Sequence, residues 1–150
     1  MRRHLYLIIT ILSFTLSQAQ KPKTPSSSEI YESVQKLNFL GSVLYIAAHP
    51  DDENTRLISY MSNQVKARTG YLSLTRGDGG QNLIGPEIRE LLGVIRTQEL
   101  LAARRVDGGE QFFTRANDFE YANQPAETLT ILNKVDVFTN IVLAIRRFKP

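Results

Sequence analysis

The sequence predicts an α/β fold: a parallel β-sheet with helices on both faces, three layers in α/β/α order, C-terminally incomplete. Three observations predict it. Ser42 to Ala48 (SVLYIAA) is apolar almost throughout, as expected of a central strand buried on both faces. Strand-like stretches then alternate with stretches of helical spacing, giving βαβαβα, which a parallel sheet accommodates through crossover helices. Finally, three unusual polar clusters each follow a predicted strand: His49 to Glu53, Arg76 to Asn82, and Arg115 to Asp118. In open parallel sheets ligands sit beyond the carboxyl ends of the strands, often where the strand order reverses, so these loops would gather into one site.

The elements follow in order. Residues 1–19 read as a secretory signal peptide: a basic start at Arg2 and Arg3, an apolar run from Leu5 to Leu16, and small residues Ser17 and Ala19 where a signal peptidase cuts. That run of about 12 residues is short of the roughly 20 needed to span a bilayer. The chain is therefore expected to be exported, periplasmic or secreted, with no membrane span after cleavage. Residues 20–28 form a linker rich in Pro and Ser, and the domain is expected over 29–150. Ser28 is placed to cap a short amphipathic helix carrying Ile30, Val34 and Leu37. After the first strand, a helix from Glu53 carries Leu57, Ile58, Met61 and Val65 at helical spacing. A second strand lies within Ala67 to Thr75. Pro86 opens a long helix with Ile88, Leu91, Leu92, Ile95 and Ala102 facing inward, broken at Asp107-Gly108-Gly109. Glu110 to Thr114 is a third strand. Pro125 starts further helix with Val135, Phe138, Ile141, Val142 and Ile145 on its apolar face.

Composition removes several classes. The formal charge of +3 falls to +1 once Arg2 and Arg3 leave with the signal, so no basic excess points to nucleic acid. The chain has no cysteine, which excludes disulfides and thiol chemistry.

The first polar loop carries the chemistry. Asp51, Asp52 and Glu53 follow Pro50 where a helix opens, and its positive end favours negative charge. Helix capping accounts for one or two carboxylates. A metal accounts for the whole set, because imidazole nitrogen with carboxylate oxygen suits zinc, and a carboxylate that does not ligate it can take a proton from water. The glycine-rich Gly77 to Gly80 loop lacks the spacing of the common nucleotide fingerprints, and its glycines fit a sharp turn better than a phosphate cradle.

The stretch Ala48-His49-Pro50-Asp51-Asp52-Glu53 resembles the signature of the PIG-L, or LmbE-like, family of zinc-dependent deacetylases of N-acetylated sugars, which have a Rossmann-like sheet. Thr75 to Gly80, Gly93 to Leu100, and Arg115 to Asp118 resemble that family's loop after the second strand, its arginine-bearing helix and its loop after the third strand. The resemblance implies that His49 and Asp52 bind Zn2+ and that Asp51 is the general base. It implies a supporting or capping role for Glu53, and places Arg96 and Asp118 at an N-acetylated sugar or glycoconjugate substrate. Arg96 is equally suited to pair with Glu99 three residues on, and Asp118 to form a turn beside Asn117. The family's third zinc ligand is a histidine in a later loop, and His49 is the last histidine in this chain. The chain is therefore expected to be the N-terminal part of a longer protein, binding metal weakly and inactive by itself. The alternative function is a non-catalytic carbohydrate-binding module with a degenerate metal site. Hydrolysis of another amide or ester would use the same residues.

Overall fold

The computed structural model describes residues 24–119, 122 and 124–150. The predicted signal peptide and residues 20–23 of the predicted linker lie outside them. The described residues fall into two units with a boundary between Ser33 and Val34.

Helix α1 (Ser27–Lys36) starts inside the predicted linker. Its cap is Ser26, not Ser28: the Ser26 hydroxyl accepts from the Glu29 amide, and Glu29 Oε2 accepts from the Ser26 amide at 2.7 Å. This reciprocal box satisfies donors that a helix start leaves open. No residue of α1 is buried, including Ile30, Val34 and Leu37.

Three parallel strands, β1 (Ser42–Ala47), β2 (Arg68–Ser73) and β3 (Glu110–Phe113), lie in the order β1-β2-β3. Helix α2 (Thr55–Ser59), continued by a π-helical turn over Tyr60–Gln64, links the first two. Helix α3 (Glu90–Asp107) links the second pair. Two helices complete the chain, α4 (Pro125–Ile131) and α5 (Lys134–Phe148), bent by 79° from each other. No single described helix is long and apolar enough to cross a membrane.

The parallel α/β sheet is as predicted, but the central strand is β2. Among the described residues strand β1 has a partner on one side only and is half-exposed along its length, whereas Thr69 to Ser73 are all buried. The order of these three strands does not reverse, so they contain no switch point. Tyr71 packs with Ile58 of α2 and Leu100 of α3 on one face, joined by Tyr45, Ala47 and Phe113. On the other face Phe148, at the end of α5, lies over Gly70 and meets the Phe112 ring edge-on at 5.6 Å. Helices α2 and α3 thus lie on one face, and the end of α5 reaches the other. The end of α5 is also tied down through Ser42 Oγ donating to the Lys149 carbonyl and Arg68 Nη1 donating to that of Phe148.

Several helix faces differ from the expectation. Helix α2 begins at Thr55, not Glu53, because Asn54 accepts from the Leu57 amide as its cap. Within it Ile58 is buried and Leu57 exposed. Helix α3 begins at Glu90 rather than Pro86, since Arg89 has φ of 54°, which breaks helical continuity. Ile88, Leu91 and Ile95 are exposed, and the inward face is Leu92, Leu100 and Arg104. In α5 the buried residues are Val137 and Phe148, while Val135, Phe138, Val142 and Ile145 are exposed.

Candidate functional site

The carboxyl ends of the three strands bring together all the residues singled out from sequence. His49 to Asp52 form a tight turn, closed by the Asp52 amide donating to the His49 carbonyl at 3.3 Å. Asp52 folds back over the turn, accepting from the His49 amide at 2.9 Å and lying 3.1 Å from His49 Nδ1. The other ring nitrogen, Nε2, lies 3.3 Å from Asp118 Oδ1 on the loop after β3. That contact lacks hydrogen-bond alignment, so the buried Oδ1 has no hydrogen-bond partner among the described residues.

Asp51 points out of the turn and is the most exposed of the group, its side chain 73% accessible. Arg96 Nη2 approaches it to 3.3 Å, while Nη1 donates to Glu99 at 2.8 Å. Arg96 therefore pairs along its own helix with Glu99, as its spacing allows, and also reaches the motif. His49, Asp51, Arg96 and Asp118 line a cavity of about 340 Å³, within the usual range for small-molecule sites, about 300–1,000 Å³. A second cavity of about 390 Å³, between α3 and the loop after β3, contains none of the His49 to Glu53 residues. The chemistry belongs to the first.

Gly77 and Gly79 explain the glycines of the second loop. Gly77 has φ of 70°, and a Cβ there would press on the Pro50 ring at 3.0 Å. Gly79 lies against the backbone of Asp118 and Phe119, and the Asp118 amide donates to Asp78 Oδ1 at 3.4 Å. The three loops are thereby held against each other.

Glu53 does not cap α2. Its side chain is 5% exposed and turns beneath the loop to Arg104 of α3, with Nη2 3.2 Å from Oε1. Its other oxygen has no hydrogen-bond partner among the described residues. Burial raises the Glu53 carboxyl above its ordinary pKa, against the pull of backbone hydrogen bonding and of Arg104. Arg104 is itself held by Asp107, with Nε donating to Oδ1 at 3.1 Å and Nη2 to Oδ2 at 2.6 Å. Sequence reasoning missed Arg104, Tyr45 and Tyr71. The available signal was an arginine at the buried face of α3, four residues after Leu100.

A divalent cation can be tested against these donors. Imidazole and carboxylate on one turn are the right chemistry, and His49 Nδ1 and Asp52 Oδ2 face each other. Asp118 faces the opposite nitrogen, however, and the two nitrogens of one ring cannot ligate one ion. Among the described residues no three His, Cys, Asp or Glu side chains converge on a metal position. The residues present fit two ligands of a site.

A parallel α/β sheet with a single-histidine, carboxylate-rich turn after its first strand defines a class of α/β proteins with a polar ligand site at the strand ends. Within that class the chain belongs to the PIG-L family (GlcNAc-PI de-N-acetylase), whose sequence model matches residues 44–150. No curated protein matches the chain. Among solved structures it is similar to GalB, the 4-carboxy-2-hydroxymuconate hydratase from Pseudomonas putida KT2440, at 21% identity and a TM-score of 0.48. The match covers 74% of this chain and 45% of that one, so the chain spans less than half the length of the hydratase.

Proposed function

We propose that this chain carries the first part of the active site of an exported, zinc-dependent hydrolase that removes N-acetyl groups from N-acetylglucosamine-type sugars or glycoconjugates. The observation that carries the reading is the division of labour on one turn. His49 and Asp52 face each other, while Asp51 points the other way into the cavity beside Arg96. His49 and Asp52 would hold the metal, with a histidine beyond residue 150 as third ligand. When bound, zinc polarises a carbonyl and lowers the pKa of water. Asp51 accepts the proton of the attacking water as general base, and amide cleavage releases acetate and exposes the amine. Arg96 holds Asp51 in place and can pair with sugar oxygens. Oδ1 of Asp118, which has no hydrogen-bond partner among the described residues, would accept from a sugar hydroxyl, satisfying a buried acceptor.

The test is acetate release from a panel of N-acetylglucosamine conjugates by the natively produced protein, before and after chelation and after zinc is returned. Release that is lost on chelation and restored by zinc supports the reading. Sugar binding without release supports the second reading, a carbohydrate-binding module with a degenerate metal site. Release that is indifferent to chelation contradicts both.

A further inference from the structure

Asp51 and Asp52 are solvent-accessible side chains on a loop, yet a catalytic pair must hold its geometry closely. What fixes them lies underneath. The Tyr71 hydroxyl donates to the carbonyl oxygen of His49, and the Tyr45 hydroxyl donates to that of Asp52 at 3.3 Å. These tyrosines occupy paired register positions on β1 and β2, and their rings meet edge to face at 5.9 Å. One residue beyond Asp52, Glu53 is held by Arg104, whose guanidinium lies over the Tyr71 ring at 5.3 Å and is locked by Asp107. The loop is therefore anchored at His49, at Asp52 and at Glu53, with Asp51 between the anchors. Neither tyrosine lines the cavity.

We propose that Tyr45, Tyr71 and Arg104 are positioning residues that preset the His49 to Glu53 turn, so that the donors are aligned before any metal or substrate arrives. This rests on the functional reading above only in naming what is aligned.

The test uses Tyr45→Phe, Tyr71→Phe and Arg104→Lys, which remove a hydroxyl or the guanidinium fork with little change in bulk or charge. Backbone hydrogen exchange is read at Asp51 to Asn54 and, in the same sample, at Thr69 to Ser73. Expected is faster exchange in the loop with strand protection unchanged, at least for the two phenylalanine variants. Co2+ affinity, read by absorbance, is expected to fall about 10–100-fold, as when the groups that orient ligands are removed elsewhere. Unchanged loop exchange overturns the proposal. So does a rise shared equally by loop and strands, which would mark the three residues as contributors to general stability. If the unaltered protein takes up no Co2+, the metal reading fails while the exchange result still decides this one.

Discussion

Adjacent glycines in the Gly77 to Gly80 loop are predicted to respond in opposite ways to the same substitution. A Cβ at Gly79 would lie 2.7 Å from the Asp118 carbonyl carbon and the Phe119 amide nitrogen, and 2.8 Å from the Asp118 carbonyl oxygen. These are backbone atoms and cannot rotate aside. Ordinary contact begins near 3.4 Å, so the loops after β2 and β3 must part by about 0.7 Å. Forcing a well-packed contact open costs roughly 1–3 kcal/mol. For a unit of this size that is a fall of roughly 4–12 °C in Tm. At Gly80 the nearest atom to a new Cβ is the Gly77 carbonyl oxygen at 3.5 Å, which is no clash. Gly80→Ala should therefore be neutral or stabilise by about 0.4–1 kcal/mol, through the smaller entropy of its unfolded chain. Thermal and urea unfolding of Gly79→Ala and Gly80→Ala side by side provide the assay. Equal Tm values for the two variants, or a larger loss at Gly80, would refute the loop contact on which the Asp118 position depends.

Two further outcomes follow from the same structure. Phe148→Ala removes a ring that is 1% exposed over Gly70 and against Phe112, so unfolding in urea should show a loss of about 3–5 kcal/mol; a loss under 1 kcal/mol would mean that face of the sheet is not sealed there. Raising the pH should destabilise the fold through Tyr71. Its folded pKa, about 12, lies above the ordinary value of 10.0, so its contribution is complete below pH 10 and is lost as the pH passes through 12. An absorbance titration should show one of the six tyrosines ionising late, absent in Tyr71→Phe; uniform ionisation near pH 10 would contradict this.

The strands, their parallel arrangement and the three polar loops were legible because each strand is short, is followed by a polar cluster, and is separated from the next by residues at helical spacing. Which strand is central was not. Ser42 to Ala48 looks the more buried by composition, while Arg68 to Ser73 contains Thr and Ser. Those hydroxyls donate locally, Thr69 to the Ala67 carbonyl and Ser73 to that of Thr75, which lets them enter the interior. The same blindness hid Arg104. Reading α3 by its apolar residues places Leu91 and Ile95 inside, whereas the buried face includes a charge whose partners, Glu53 and Asp107, are 51 residues behind and three ahead. The site itself was legible as a cluster because His49, Asp51, Asp52, Arg96 and Asp118 do meet at the strand ends. Asp118 was placed at the substrate from sequence, and its proximity to His49 Nε2 depends on a loop contact that no local pattern encodes.

The most direct measurement is acetate release by Asp51→Asn in the natively produced protein, with bound zinc quantified in the same preparation. Asn keeps the size of the side chain and cannot accept the proton. The account predicts that zinc content stays at the unaltered level, because His49 and Asp52 are untouched, while acetate release falls by about 100-fold or more. Full release from a zinc-loaded Asp51→Asn protein would contradict the role of Asp51 and, with it, the central claim.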